Sequence, residues 1–515
     1  MQASVILDQP GNVAYTNLDQ ISGRVIVRAA KSSDVSNILL KLEGESRTRL
    51  MSPAGPNGER PKPQVEYHKI LYKVQMVFPP GEVAESRSHT SGKGAHYTLP
   101  AGQHEYPFSF KLPFNNSCDL SRNQMPMVVG LEVAKPAQRH VKKTLPPTLN
   151  GFPGEAEIRY FVKCTVNRHS IFKENARAYA PFNFFPIEPP RAPSTGTEVY
   201  ARQKHHFDPY PDDHTVKDRT KGIFGKKSGA PNSPTTGGST QGPAISVDAR
   251  LPEPAILTCN SDIPLRLIVK RINDSAGAIF LQSLQVSLIG HTKIRAHEVF
   301  RTETNSWIVM SKSNMGIALG LPNDSTNTET VLDDRMWRGQ SLPNTVAPGF
   351  ESCNIDRFYQ LDIRIGLSYA GDGSKVRPGQ MRKIPQNIVL PLRLDTAVYS
   401  GIAPPPEVLA RMAEARQRKG EDPMASKLRT EGRLDSDFGA NQIPPTPTEA
   451  EGSSAPQFIA RPGVASAEEI YGDVPPPSYE DAIASDLPPV VAPRPTYAPP
   501  PASEDPLLAS DEKKG

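Results

Sequence analysis

Apolar and polar residues alternate with a period of two through most of the chain up to about residue 400, the spacing of a strand with one buried face and one wet face. Ile38, Leu40 and Leu42 alternate with Leu39, Lys41 and Glu43, and Phe108, Phe110 and Leu112 with Ser109, Lys111 and Pro113. The cleanest run sets Ile158, Tyr160, Val162, Cys164 and Val166 against Arg159, Phe161, Lys163, Thr165 and Asn167. Gly, Pro and Asn turns separate these strands, and no helical period is long enough to supply crossovers. The pattern predicts an all-β chain built from antiparallel sandwiches. Ser52–Gln64 and Val83–Thr98 read as long surface loops.

The alternation lapses from Pro189 to about Pro243 into Pro, Gly, Ser, Thr and basic residues. It resumes with Leu265, Leu267 and Val269, with Leu284, Val286 and Leu288, with Tyr359, Leu361, Ile363, Ile365 and Leu367, and with Ile388, Leu390, Leu392 and Leu394. A sandwich over 1–190, a linker over 191–243, a second sandwich over 244–403 and a tail over 404–515 follow. Pro391 lacks an N–H, which a sheet tolerates only at an edge or a bulge, and its strand is expected at a sheet edge. In the tail, Glu407–Lys419 has the composition of a short, transient helix.

Composition sharpens the tail. Hydrophobic content of 37% and a mean hydropathy of -0.46 are low for one compact body, so a disordered part dilutes a folded part. Residues 401–515 hold 20 of the 54 prolines, about twice the density before them, and such a segment buries too little apolar surface to offset its ordering entropy. The net charge of +4, from 59 basic and 55 acidic side chains, implies no extended nucleic-acid surface. The N-terminus carries no basic, apolar leader and no stretch reaches the roughly 18 apolar residues of a membrane span, so a cytosolic location is expected. Asn-x-Ser matches at Asn115, Asn273 and Asn323 are then chance. Cys118, Cys164, Cys259 and Cys353 are far apart with no C-x-x-C pair, and they read as reduced core residues with no metal site.

Within the tail stands Val474-Pro475-Pro476-Pro477-Ser478-Tyr479-Glu480-Asp481. Adjacent prolines hold polyproline II before binding, so Pro476, Pro477 and Tyr479 suit the aromatic groove of a WW domain. One such peptide binds at about micromolar to tens of micromolar. Pro493-Arg494-Pro495-Thr496-Tyr497 is a degenerate copy, with Arg494 where the first motif proline belongs. Pro495 and Tyr497 are either a weaker second site that adds avidity or a spacer.

Several pieces of the chain resemble fungal α-arrestins, the arrestin-related trafficking adaptors. They are Tyr15-Thr16-Asn17-Leu18-Asp19 leading to Ser22-Gly23-Arg24-Val25, Leu40-Lys41-Leu42-Glu43-Gly44-Glu45-Ser46, the run from Gly102 to Pro113, and Leu145-Pro146-Pro147-Thr148-Leu149. In the second half Ile263-Pro264-Leu265-Arg266-Leu267, Leu288-Ile289-Gly290-His291-Thr292 and Val398–Pro406 match more loosely. The resemblance implies two arrestin-type sandwiches in tandem and no catalysis. It also implies partners: a HECT-type ubiquitin ligase whose WW domains read Pro-Pro-x-Tyr, ubiquitin, and a membrane transporter or permease as cargo, with recruitment from cytoplasm to plasma membrane and endosomes. The rival expectation is a sorting or coat scaffold of the retromer-subunit sort, which needs no Pro-Pro-x-Tyr.

Other motifs are weaker. Lys204-His205-His206-Phe207-Asp208 and Asp212-Asp213-His214 hold metal-ligand types, but a solvated linker explains them. Lys217, Arg219, Lys221, Lys226 and Lys227 suit either an ordinary linker or weak contact with anionic lipid. Ser233 and Thr446 each precede proline and are candidate phosphosites. Gly222-Ile223-Phe224-Gly225-Lys226-Lys227-Ser228 has the wrong spacing for a P-loop, His104-Glu105 and His297-Glu298 lack a second zincin histidine, and Gly237-Gly238-Ser239-Thr240-Gln241 lacks the final glycine of a nucleophile elbow. No cofactor and no enzyme activity are expected.

Overall fold

A computed structural model describes residues 1–9, 13–54, 60–80, 97–118, 127–129, 132–134, 136–137, 139–168, 174–210, 242–273, 277–319, 325–369, 384–410, 487 and 489–500. In the first half, a three-stranded sheet of Gln2–Leu7, Gln20–Ala29 and Gly102–Lys111 faces a sheet whose main path is Ala176–Phe182, Ala156–Arg168, Ser33–Met51 and Pro63–Phe78. Val25, Val27, Phe108 and Phe110 from the small sheet pack in one core with Ile38, Leu40, Leu42, Ile158, Tyr160 and Val162 from the large one. Apart from Val25 and Val27, these are positions whose period-two spacing predicts burial.

The second half repeats the plan. Glu198–His206, Ala244–Pro252, Arg266–Arg271 and Glu329–Val331 form one sheet, and Ile256–Thr258, Gln386–Tyr399, Ile355–Tyr369, Ile279–Ala296 and Val299–Lys312 form the main path of the other. Leu284, Val286, Leu288, Leu361, Ile363 and Ile365 fill the core between them. Among the described strands of this half, pairing is antiparallel except where Ile256–Thr258 runs parallel to Gln386–Tyr399. Pro391 pairs with Arg364 on one side, and the strand on its other side reaches only Ala397–Tyr399. Pro391 thus has a ladder neighbour on one side only.

Both halves share a detail of packing. Gly44 lies opposite Tyr160 and Gly290 opposite Tyr359. A Cβ on Gly44 would come within 2.7 Å of the Tyr160 ring, and one on Gly290 within 2.9 Å of the Tyr359 ring. Each tyrosine crosses the backbone of its glycine, and its hydroxyl donates to a carbonyl, Pro146 for Tyr160 and Ala347 for Tyr359.

One boundary differs from expectation. Glu198–His206, inside the segment expected as linker over 191–243, is a strand that pairs with Ala244–Pro252 along its whole length. Its sequence hides this because little of it alternates cleanly; ladder hydrogen bonds and the Arg202 and Asp248 side chains hold it at the sheet's edge. Residues 211–241 lie outside the described residues, as does most of the tail. The first turn of the expected helix, 406–410, is helical.

The halves meet in a polar seam with apolar flanks. Ser46 donates to Asn354 at 2.6 Å, Asn354 donates to Thr48 at 3.2 Å, and Thr48 donates to the Arg295 carbonyl. Glu66, fully buried, accepts from Arg295 and from the His297 amide, each at 2.6 Å. Ile294, Ala296 and Ile355 from the second half join the first core, and Ala14, Leu18 and Phe185 join the second.

Candidate functional site

Between the sandwiches, the chain from Tyr15 to Asp19 turns sharply, with Leu18 in the left-handed region at φ 69°. Asn17 locks the turn by donating to the Pro113 and Phe114 carbonyls and accepting from the Ile187 amide. The turn presents the buried carboxylate of Asp19, which also accepts from the Thr16 amide at 2.8 Å.

Residues 487 and 489–500 of the tail lie in the groove this turn forms. Arg494 sets both arms of its guanidinium on the Asp19 carboxylate, Nη2 at 2.7 Å from Oδ1, and also donates to the Ala14 carbonyl at 3.1 Å. The paired geometry is the strong form of an arginine–carboxylate contact. Tyr497 is only 5% exposed. Its ring sits 4.7 Å from that of Phe185 and its hydroxyl donates to the Thr148 carbonyl. Burial raises this phenol above its ordinary value. Leu487 and Val490 join the second core, Lys111 donates to the Leu487 carbonyl, and the Ala498 amide donates to Asn344 at 3.1 Å. Asp19, Lys111 and Thr148 belong to the first half and Asn344 to the second, so the segment bridges both.

The residues singled out by motif are therefore distributed unevenly. Pro476, Pro477 and Tyr479 lie outside the described residues, as do Ser233, Thr446, the basic run Lys217–Lys227 and Asp212-Asp213-His214. Pro495 and Tyr497 are described, and Tyr497 serves as a buried anchor on the chain's own groove; a WW domain could read it only after it leaves. His205 and His206 are neighbours on a strand, which directs them to opposite faces. His205 packs edge-on against Phe207, and burial lowers its pKa. Among the described residues the one His, Cys and carboxylate group with metal-like spacing is elsewhere, at His68, Cys118 and Cys353. The signal for the docked segment that local reading missed is Arg494 itself, the charge that spoils the second motif.

The sequence pattern of the family described as arrestin (or S-antigen), N-terminal domain, matches residues 3–181, the extent of the first sandwich. The first sandwich is an arrestin N-terminal domain. It is 26% identical over 185 residues to arrestin-related trafficking adapter 10 of Lachancea thermotolerans, covering 32% of this chain and 40% of that protein. It is 30% identical over 122 residues to the protein of the same name in Candida glabrata, covering 22% and 24%. Arrestin domain-containing protein 17 of Caenorhabditis elegans is 33% identical over 100 residues, covering 19% and 22%. The matched segments thus span well under half of the relatives' own lengths. The groove-forming residues Tyr15–Asp19 fall within the matched domain, and among the described residues no helix is long and apolar enough to cross a membrane.

Proposed function

We propose that the chain is a non-enzymatic adaptor that uses Pro476, Pro477 and Tyr479 to recruit a WW-domain HECT-type ubiquitin ligase to a membrane transporter, promoting its ubiquitination and endocytosis. The observation that carries the reading is a Pro-Pro-x-Tyr peptide on a chain that has an arrestin N-terminal domain and is similar to proteins named trafficking adapters.

The docked tail segment adds a physical reason. Tyr479 precedes Leu487 by eight residues, a span of at most ~29 Å when fully extended. A ligase bound at Tyr479 is thereby held close to the sandwiches, and its effective concentration at any cargo they hold is high.

Affinity capture of wild-type chain and Tyr479→Ala from fungal cells, with quantitative mass spectrometry, tests this. A WW-containing ligase is expected with wild type and about tenfold or more depleted with the variant, since the ring is a main anchor of a small interface. Co-purifying transporters would identify cargo. Equal ligase recovery with both forms, or coat and sorting subunits without a ligase, would overturn the reading in favour of a scaffold.

A further inference from the structure

We propose that His68, Cys118, His140 and Cys353 form a tetrahedral Zn²⁺ site that ties the two sandwiches together. His68 comes from the strand Pro63–Phe78, Cys118 and His140 from the segments that flank 119–138, and Cys353 from the turn between Phe350–Glu351 and Ile355–Tyr369. Three ligands thus belong to the first half and one to the second.

The distances of three ligands and the chemistry of all four fit zinc, with His140 standing against Cys118 but outside the mutually close group of three. The ligand atoms of His68, Cys118 and Cys353 all lie within 4.8 Å of one another, and all three residues are buried. His68 Nδ1 is 3.3 Å and His140 Nδ1 is 3.2 Å from Cys118 Sγ. A zinc ion ~2.3 Å from sulfur and ~2.0 Å from nitrogen sets sulfur–nitrogen separations of about 3.5 Å at tetrahedral angles. Two thiolates and two imidazoles are a ligand set that selects zinc over hard cations, and four protein ligands leave no open position, the form of a structural site.

The surroundings orient the same four atoms. His68 Nε2 lies 2.7 Å from the Glu66 carboxylate, and His140 Nε2 lies 3.1 Å from the Ala137 carbonyl. An imidazole whose Nε2–H donates to oxygen keeps the Nδ1 lone pair for a metal, and such outer partners are a recurring feature of zinc histidines. The Val141 amide donates to Cys353 Sγ at 3.3 Å, as suits a thiolate. None of the four cysteines is in a disulfide.

The test uses the full-length chain, purified without chelator, with metal content read by plasma mass spectrometry. About one zinc per chain is expected, falling about fivefold or more in Cys118→Ser, Cys353→Ser and His140→Ala. Cys164→Ala, which removes a thiol from the first core, should retain the metal. Because a ligand variant can fail to fold, wild type is also stripped with a chelator and reloaded with Co²⁺. Thiolate-to-cobalt charge-transfer absorption and a melting temperature lowered by stripping support the site. Zinc below about a tenth per chain with no such absorption overturns it, as does a disulfide mapped to Cys118 and Cys353.

Discussion

Tyr497 shows how one side chain can change what a motif does. In a free peptide its ring would face a partner, whereas here the ring rests on Phe185 and the hydroxyl serves the Thr148 carbonyl. Tyr497→Phe keeps the ring and loses about 1 kcal/mol of hydrogen bond, so the docked segment should open about fivefold more often. Tyr497→Ala also loses ring burial, a further ~2 kcal/mol. Hydrogen exchange at the Ala498 amide reads both, and unchanged exchange would mean that other contacts hold the segment. Arg494→Lys should behave like a loss, because an ammonium keeps the charge but not the paired geometry on Asp19. Buried phenols also set an alkaline limit. Burial pushes Tyr359 up to about 12 and raises Tyr67 and Tyr160. A phenol raised above its unfolded value near ~10 contributes stability that is complete below that pH and lost as pH climbs through the folded value. Tyrosinate absorbance should therefore rise in two phases, the second coinciding with loss of strand circular dichroism.

At the scale of strands, the glycine–tyrosine crossings and one ion cluster carry the sharpest expectations. Gly44→Ala drives a methyl against Tyr160 and Leu71, and Gly290→Ala drives one against Trp307, Arg357 and Tyr359. Overpacking of this kind costs about 1–3 kcal/mol, read as a melting temperature several degrees lower. Gly154→Ala meets no atom within 4 Å but sits at φ 71°, so any loss there is backbone strain alone. On the edge strand Glu198–His206, Arg202 Nε is 2.6 Å from Asp248, and Arg250 holds the same carboxylate at 2.9 Å. The Arg202 hydrogen bond first, with Arg250 behind it, holds the Asp248 carboxyl below its usual range against the opposing effect of burial. A depressed carboxylate contributes stability present above its unfolded value near ~3.9 and lost as pH falls through the folded one. Asp248→Asn should be less stable than wild type near neutrality, with the gap closing as pH drops below about 4. A gap independent of pH would show that packing, not charge, explains the loss.

Across the whole molecule, the seam between sandwiches is polar where most interiors are apolar. Glu66 is fully buried and its cation partner Arg295 is 15% exposed. Breaking such a pair by removing one member leaves an uncompensated charge and costs about 3–5 kcal/mol. Arg295→Met should lower the melting temperature and split a single calorimetric transition into two, as the halves lose their coupling. One undivided transition at the wild-type temperature would mean that Ser46, Thr48 and Asn354 suffice to join them.

Local order was legible from the residues alone, because a strand's period of two records which side chains face a core whatever lies opposite. Ile158 to Val166 and Tyr359 to Leu367 announce their buried faces this way, and the clustering of prolines marks the tail as a different kind of chain. The Pro-Pro-x-Tyr peptide is likewise local, since four adjacent residues are its whole content. Glu198–His206 escaped because an edge strand is held by its neighbour's backbone and by ions. Asp19 with Arg494, Ser46 with Asn354, and His68 with Cys118, His140 and Cys353 were invisible for a stronger reason. Their members are separated by 22 to 475 positions, and no spacing rule spans two domains and a tail. Sequence determined which surfaces must be buried; only the docking of two sandwiches decided which polar groups those surfaces would trap together.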